Sequence, residues 1–400
     1  MCAMMRGMIR RLIAALAFIA APATAQETPP PASVVVAFDE AAARPLIIEG
    51  LANKEAGRAV EANDPVRIAS ISKLVMALAA LRLMDEGKLD LERDVSDYLG
   101  WTLRSPHDPD TKVTLLHLLS HRAGLSDAAG YIIPLGESLE ARLADPQAWR
   151  KTRPLGDMDF EYANLGSPLV ATALEAASGE RYDRLVERLV FAPLGVKACL
   201  NWVGCGAELQ ARAVTLYRHT GEVARDDPRD LACPIPVADG QPCSLEGYVP
   251  GTNASVFSPQ GGVRIGMMDL AKIGQALLRF DGRDGFLSNK AQVLWFATMN
   301  AVAHHLPRGE NDFCAYGLGV YALVERPPCH DDLFRDGGER IGHGGEAYGL
   351  RSGLWISYDT MTGIAYFTTE VPPPTGEVET DGADPRETAL MARAQSLLAP

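Results

Sequence analysis

Residues 70–86 read SISKLVMALAALRLMDE. Apolar residues recur along this stretch at helical spacing, among them Leu74, Leu78, Leu81 and Met84. The pattern predicts a helix, and Gly87 is placed to end it. Strand-like segments precede this helix and helix-like segments follow it. The stretch therefore marks the passage from a sheet region to a helical region.

Strand patterns stand at both ends of the chain. They cover Ser33–Asp39 and 45–52 near the start, and 316–324, 349–358 and 363–370 near the end. Helical patterns cover 115–120, 166–178, 182–191, 268–280 and a closing segment, 386–398. We expect the two ends to pair in one antiparallel sheet flanked by helices, with a mostly helical region inserted between them. This is an α+β fold.

The predicted domain covers residues 33–398. Its sheet region comprises 33–69 and 310–398, and its helical region comprises 70–309. The chain has 400 residues, of which 47% are apolar, and this is enough to bury a large core.

The first 25 residues have the pattern of a secretory signal peptide. A basic stretch containing Arg6, Arg10 and Arg11 precedes a short apolar run, and Ala23-Thr24-Ala25 follows as a small-residue cleavage site. A Pro-rich tether, 26–32, then leads into the domain. We expect an exported protein, periplasmic or secreted, with no membrane span after cleavage.

The net charge is −13. Removal of the three arginines of the signal segment makes the mature chain more acidic still. Because nucleic-acid phosphates bind basic surfaces, this charge argues against a nucleic-acid partner. It does not identify the substrate.

Six cysteines follow the signal segment and form three pairs that are close in sequence. Short loop closure favours disulfides between Cys199 and Cys205, Cys233 and Cys243, and Cys314 and Cys329. Other pairings are possible in principle. A metal site is the competing interpretation, but no C-x2-C spacing is present, so we expect no metal.

The motif Ser70-x-x-Lys73 carries the first chemical signal. Residues three apart on a helix lie on one face, so the serine hydroxyl and the lysine amine can come within hydrogen-bond range. Serine becomes a nucleophile when a base takes its proton, and a desolvated lysine can be that base. The alternative is an N-capping serine beside a solvated lysine.

Two further motifs stand in order behind it. Tyr162-Ala-Asn164 offers a phenol as proton carrier and an amide that could hold the lysine or a substrate carbonyl. His343-Gly-Gly345-Glu346 offers glycines beside which substrate backbone can lie, and a backbone N–H at Glu346. A competing H-x-G at His219 is interpreted as a turn in the helical region.

Together these motifs resemble those of serine β-lactamases and penicillin-binding proteins, in particular class C β-lactamases, D-aminopeptidases and related esterases. Segments 114–125 (TLLHLLSHRAGL) and 257–270 (FSPQGGVRIGMMDL) are also similar to segments of that family. The resemblance covers about residues 33–398. It implies an antiparallel sheet flanked by helices, with the site beside a helical region.

The resemblance also implies an acyl-serine mechanism without metal or cofactor. Ser70 would attack a carbonyl carbon, and Lys73 and Tyr162 would move the proton, with the base left open between them. The N–H groups of Ser70 and Glu346 would hold the oxyanion. Substrate contacts would come from three further residues, Asn164, His343 and Gly345.

The third motif departs from the β-lactamase pattern, in which a lysine stands at the position of His343. Histidine is mostly neutral near pH 7, so it is poorly suited to bind a substrate carboxylate. We therefore expect hydrolysis of a small or peptide-like amide or ester. A β-lactamase or DD-carboxypeptidase is the alternative enzyme, and a non-catalytic sensor of the same fold is the alternative of another class.

Overall fold

The computed structural model describes residues 29–151, 160–225, 232–279, 285–303, 315–326, 329–373 and 384–398. The predicted signal segment, 1–25, lies outside the described residues, and so does part of the predicted tether. No helix in these ranges is both long enough and apolar enough to cross a membrane.

Strands occur near both ends of the described chain and in short pairs between. They are β1 (Ser33–Asp39), β2 (Ala43–Glu49), β3 (Leu51–Asn53), β4 (Arg58–Ala59), β5 (Val66–Arg67), β6 (Ala198–Leu200), β7 (Leu216–Tyr217), β8 (Val223–Arg225), β9 (Val263–Ile265), β10 (Tyr321–Leu323), β11 (Glu325–Arg326), β12 (Cys329–His330), β13 (Arg340–Ala347), β14 (Leu350–Ser357) and β15 (Thr362–Thr368).

Helices fill the middle of the chain and its end. The α-helices are α1 (Ser72–Asp85), α2 (Ser96–Leu99), α3 (Leu115–Leu119), α4 (Leu139–Leu143), α5 (Gly166–Ser178), α6 (Tyr182–Val186), α7 (Ala207–Ala211), α8 (Met267–Leu278), α9 (Asn289–Ala303) and α10 (Pro385–Ser396). Short 3₁₀ turns cover Ala69–Ile71, Asp127–Ala129, Pro146–Ala148, Ala192–Leu194 and Ala254–Phe257, and Glu187–Phe191 forms a π-helical turn.

The main sheet has six strands in the order β10-β13-β14-β15-β1-β2, with antiparallel neighbours. β1 lies between β2, which follows it in the sequence, and β15, which comes from the end of the chain. Val35 of β1 is opposite Tyr366 of β15. The predicted pairing of the two ends and the predicted α+β class are therefore confirmed.

Both faces of the sheet are covered, which explains why β1 is apolar from Val34 to Phe38 rather than alternating. Val34, Val36 and Phe38 face the large core that includes α1, α5 and α8. Val35 faces a second cluster that contains Leu390 of α10. Burial on both faces favours the continuous run of β-branched residues seen in SVVVAFD.

The contact between the sheet and α8 depends on small residues. A Cβ at Gly274 of α8 or at Gly363 of β15 would lie only 2.2 Å from Cζ of Phe38. The phenyl ring fills the space that these two glycines leave, so the helix and the sheet approach closely at this point.

Several sequence expectations differ from the structure. The strand β13, Arg340–Ala347, was not predicted, because its three glycines are unfavourable in strands. The predicted strand 316–324 is limited to β10, since the preceding residues form a turn. The predicted helix 70–86 begins with a 3₁₀ turn, and α1 starts only at Ser72.

Two of the three predicted disulfides, Cys199–Cys205 and Cys233–Cys243, are present. Cys314, the partner predicted for Cys329, lies outside the described residues. The two disulfides that are present close short loops, as the loop-closure argument expected.

Candidate active site

Ser70 lies in the 3₁₀ turn Ala69–Ile71, between β5 and α1. Ala69 has a left-handed backbone, with φ of 45°, a conformation that costs energy for a residue with a side chain. The turn holds Ser70, which remains partly exposed, at the wall of a cavity of about 300 Å³. The nucleophile is therefore accessible to a ligand.

Lys73 lies in the first turn of α1 and is 1% exposed. Its Nζ is 3.1 Å from Ser70 Oγ, 2.8 Å from Asn164 Oδ1 and 3.1 Å from the carbonyl oxygen of Gln260. Burial lowers the pKa of Lys73 to about 7, although the nearby Asp127 carboxylate partly opposes this shift. A substantial fraction of the amine is neutral near pH 7 and can take a proton from Ser70.

Tyr162 packs beside the same amine. Lys73 Nζ lies 4.7 Å from the centre of the Tyr162 ring, and the centre of the His121 ring lies 4.4 Å from that of Tyr162, with the two rings tilted by 32°. Burial raises the pKa of Tyr162 above its usual value, and a hydrogen bond with Ser70 only partly offsets this. The phenol thus keeps its proton while the lysine readily loses one.

Asn164 is held by Asp127, a residue that the sequence did not single out. The Asp127 carboxylate accepts hydrogen bonds from the backbone N–H and the side-chain NH₂ of Asn164, at 3.0 and 2.9 Å. It also accepts one from the backbone N–H of Leu165 at 2.9 Å. These bonds fix the side chain whose oxygen contacts Lys73.

His343 lies on β13, but its side chain is buried, with 2% exposure, and does not line the cavity. Its Nε2 is 3.0 Å from the hydroxyl of Tyr316, which in turn is 3.1 Å from Nε2 of His121. Burial lowers the pKa of His343 to about 3, and the charge of Lys73 adds to this shift. His343 is therefore neutral, and it packs behind the reacting groups.

The hydrogen-bond directions in this buried row can be assigned. His121 Nδ1 accepts from the backbone N–H of Ala163, so its Nε2 carries the proton and donates to Tyr316. His343 Nδ1 donates to the carbonyl of Gly344, so its Nε2 accepts from the Tyr316 hydroxyl. Both imidazoles are consistently neutral, which agrees with the lowered pKa of each.

A pH dependence of stability follows from His343. Its pKa is lower in the folded chain than in the unfolded chain, so between about pH 3 and 6.5 the unfolded state binds the extra proton and stability rises with pH. We expect His343→Gln, which keeps an acceptor for Tyr316, to reduce the stability lost between pH 7 and pH 5 by about 2 kcal/mol. Urea unfolding of both proteins at the two pH values measures this difference, and equal losses would contradict it.

Gly345 brings β13 against the segment that leads to Ser70. A Cβ there would lie 2.3 Å from the carbonyl oxygen of Ile68 and 2.4 Å from Oγ of Ser352. This close approach sets Glu346, the next residue, at the cavity that Ser70 also lines. The third motif thus reaches the cavity through the close approach of its backbone to the segment before Ser70.

We expect Gly345→Ala to push β13 away from Ser70. The Cβ meets a backbone oxygen that cannot rotate aside, and small displacements of reacting groups have large rate effects. The expected result is a loss of about tenfold or more in kcat/KM for an activated ester, with a folded protein by circular dichroism. Gly206→Ala is the matched control, because Gly206 has an ordinary backbone φ of −64° and an added Cβ meets nothing within 4 Å.

The far wall of the cavity is built by the two disulfide-closed loops. Trp202, between Cys199 and Cys205, lines it, and so do Cys233 and the segment 234–236 beside it. Trp202 has φ of 66°, so it depends on its loop for this conformation. The disulfides therefore help to shape the space that a substrate would enter.

No group of three or more metal-ligating side chains was found among the described residues. His117, which stands four residues before His121, forms a capping box with Thr114 at the start of α3. The i, i+4 histidines therefore serve the local structure and the buried row described above.

The structure brings Ser70, Lys73, Tyr162, Asn164 and Glu346 together at one place, as the motifs suggested. Sequence reasoning did not find Asp127, Gln260 or Tyr316 as members of this site. Gln260 lay within the segment 257–270 that was noted for its resemblance. Asp127 and Tyr316 carry no motif, because their partners are distant in sequence.

Comparison with known proteins supports the same grouping. The family model described as Beta-lactamase matches residues 31–385. The chain belongs to the Beta-lactamase family. This membership confirms the resemblance deduced from the three motifs.

The chain is also similar in sequence to an esterase and to a carboxypeptidase. Esterase EstB of Burkholderia gladioli is 32% identical over 38% of this chain and 42% of its own length. The D-alanyl-D-alanine-carboxypeptidase/endopeptidase AmpH of Escherichia coli K12 is 31% identical over 33% of this chain and 35% of its own length. These alignments span less than half of either curated relative.

The fold is shared with solved structures. The D-amino acid amidase from Ochrobactrum anthropi SV3 matches with a TM-score of 0.64 and 18% identity, over 92% of this chain and 93% of the amidase. At this identity the likeness establishes the fold. The activity of the present chain has to be argued from its own site.

Proposed function

We propose that this protein is a serine hydrolase of the Beta-lactamase family that forms an acyl-enzyme on Ser70 and cleaves amide or ester bonds. One observation carries the proposal. A partly exposed serine hydroxyl lies 3.1 Å from a buried lysine amine whose pKa is lowered to about 7. This arrangement supplies a nucleophile and a base in contact at the wall of a cavity.

Acylation begins with proton transfer from Ser70 Oγ to Lys73 Nζ. The oxygen then attacks the substrate carbonyl carbon, and the negative charge moves to the carbonyl oxygen. The backbone N–H groups of Ser70 and Glu346, which both line the cavity, are the proposed donors for this oxyanion. The base is assigned to Lys73, because its pKa is lowered while that of Tyr162 is raised.

The leaving group needs a proton when the tetrahedral intermediate collapses. Tyr162 can give its phenolic proton to the leaving group, and the Lys73 ammonium, whose nitrogen lies 4.7 Å from the centre of the Tyr162 ring, then returns a proton to the phenolate. Ser70 Oγ carries no proton at this stage, because it is bonded to the acyl carbon. Water then attacks the acyl-enzyme, Lys73 again takes a proton, and Ser70 leaves with its hydroxyl restored. Both steps balance without a cofactor, and Tyr162 is neutral before and after each.

His343 gives no support for the binding of a β-lactam carboxylate. A β-lactam carries a carboxylate, and a buried neutral imidazole that is bonded to Tyr316 offers it no charge. We therefore propose that amide or ester hydrolysis is the main activity. The predicted role of His343 as a substrate contact is replaced in this proposal by packing against Tyr316 and Tyr321.

A substrate panel tests the proposal. It contains p-nitrophenyl esters of two chain lengths, D- and L-aminoacyl anilides, a D-Ala-D-Ala peptide and nitrocefin, each assayed with wild type and Ser70→Ala. Turnover of an ester or anilide that is lost in Ser70→Ala supports the proposal. Turnover of nitrocefin or the D-Ala-D-Ala peptide alone favours the β-lactamase or carboxypeptidase alternative, and stable acylation without turnover favours a sensor.

We also propose that the protein is exported and cleaved after Ala25. The two disulfides support this, because they form and persist in oxidising compartments. The mass of the protein recovered from the periplasm or the medium of an expressing bacterium tests it. A chain that begins at Gln26 is expected, and an uncleaved chain in the cytoplasm would contradict the proposal.

A further inference from the structure

Asp127 begins a 3₁₀ turn, Asp127–Ala129, and its carboxylate faces Asn164, the last residue of the second motif. It accepts three hydrogen bonds, two from Asn164 and one from the backbone of Leu165. An ionised carboxylate can only accept. The side chain of Asn164 must therefore turn its NH₂ group toward Asp127.

This orientation determines what Asn164 shows to the lysine. An amide has its donor on one side and its acceptor on the other, so Oδ1 is left to face Lys73, at 2.8 Å. Without the carboxylate, the amide could turn over and present its NH₂ group to the amine instead. Asp127 therefore removes an ambiguity that the amide alone would leave.

The hydrogen bonds of Lys73 then fall into one order. A neutral amine has two N–H groups and one lone pair. Two of its three partners, Asn164 Oδ1 and the carbonyl oxygen of Gln260, can only accept. The two N–H groups must serve these acceptors, and the lone pair is left for the third partner, the hydroxyl of Ser70.

We propose that Asp127 is a positioning residue for the reaction, which acts through Asn164 to aim the lone pair of Lys73 at Ser70. The inference rests on the proposed acyl-serine function and goes beyond it by assigning a role to a residue outside the three motifs. Asp127 does not touch the reacting atoms. It controls which of the polar groups around the amine are donors and which are acceptors.

Asp127 also adds a charge effect that can be measured separately. The groups that face Lys73 are Asp127, Tyr162, His121 and His343, and the last three are neutral at pH 7 by the shifts given above. The Asp127 carboxylate raises the pKa of Lys73 against the effect of burial. Its removal should therefore move the acid limb of the kcat/KM profile to lower pH, because neutral Lys73 is the active form.

Two substitutions separate orientation from charge. Asp127→Ala removes every acceptor and frees the Asn164 amide, and we expect a loss of about 10²-fold in kcat/KM for an activated ester. Asp127→Asn keeps one oxygen, which satisfies two N–H groups when it faces Asn164 and only one when it faces Leu165. We expect Asp127→Asn to recover most of this loss, while both variants show the acid limb at lower pH.

Ser126→Ala is the matched control. The Ser126 hydroxyl accepts from the backbone N–H of Ala128 at 3.2 Å, so the substitution loosens the same turn without touching Asn164. We expect it to keep kcat/KM within about twofold and the pH profile unchanged. Thermal unfolding of all variants verifies that each is folded at the assay temperature.

The outcomes separate the inference from the proposed function. Wild-type kcat/KM in Asp127→Ala overturns the positioning role even if Ser70 is acylated, and an unmoved acid limb in Asp127→Asn overturns the charge effect. If Asp127→Ala does not fold, Asp127→Leu, which fills the volume without an acceptor, is assayed in its place with the same expected loss. Failure of a fluorophosphonate to modify Ser70 in wild type would instead overturn the acyl-serine function.

Discussion

Replacing Ser70 with alanine is expected to lower kcat/KM for an activated ester by at least about 10⁴-fold. The Ser70 oxygen forms the bond to the acyl group, and no contribution from the base or from the oxyanion donors replaces it. Steady-state hydrolysis of a p-nitrophenyl ester, followed at 405 nm, measures the loss. The variant is followed for a time on the order of hours.

Ser72→Ala is the control for this substitution. Ser72 lies two residues away, and its hydroxyl accepts from the backbone N–H of Val263 at 3.1 Å. Its loss should cost about 1 kcal/mol of stability and leave kcat/KM within a few-fold of wild type. A Ser70→Ala enzyme that keeps a tenth of the wild-type activity would show that another group is the nucleophile.

Replacing Lys73 with methionine is expected to lower kcat/KM by about 10³-fold. Methionine fills much of the same buried volume but has no lone pair to take the Ser70 proton. In the wild type, kcat/KM should rise with pH through about 7, where the buried amine loses its proton. The remaining activity of Lys73→Met should lack this limb.

Tyr162→Phe distinguishes the two candidates for the base. Because the phenol keeps its proton, this variant should lose the proton relay to the leaving group but retain the limb near pH 7. A limb near pH 7 that persists in Lys73→Met and disappears in Tyr162→Phe would assign the base to Tyr162 instead.

Clear local sequence patterns were sufficient to predict much of the fold. β1 matches its predicted bounds, since a run of buried β-branched residues leaves little freedom at either end. α5 also matches, because Gly166 and Gly179 stand at its two ends. β13 was not predicted, because its glycines obscure the strand pattern. The same glycines allow β13 to lie close to another backbone.

The candidate site was predictable as far as its motifs extend. Ser70 and Lys73 are near in sequence, and the 3₁₀ turn that leads into α1 brings them together. The contact of Asp127 with Asn164 crosses 37 residues, and that of Tyr316 with His121 crosses 195. Such pairs depend on the tertiary fold, so no local sequence pattern predicts them.

His343 shows that placing a motif in the fold does not settle the chemical role of each of its side chains. From the sequence, the histidine was expected to contact substrate in place of a lysine. In the structure its ring packs against Tyr316 and Tyr321 and bonds to Tyr316, while Gly345 lies against Ile68 and Glu346 lines the cavity. The backbone of the motif, rather than its side chain, lies at the site.

The most direct test of the central claim is to find which residue a fluorophosphonate modifies. Wild type and Lys73→Met are incubated with the reagent, digested, and mapped by mass spectrometry over time. Our account predicts one phosphonyl group on Ser70 of the wild type, loss of ester hydrolysis in step with labelling, and much slower labelling of Lys73→Met. Modification of a different residue, or labelling of Ser70 that leaves ester hydrolysis intact, would contradict it.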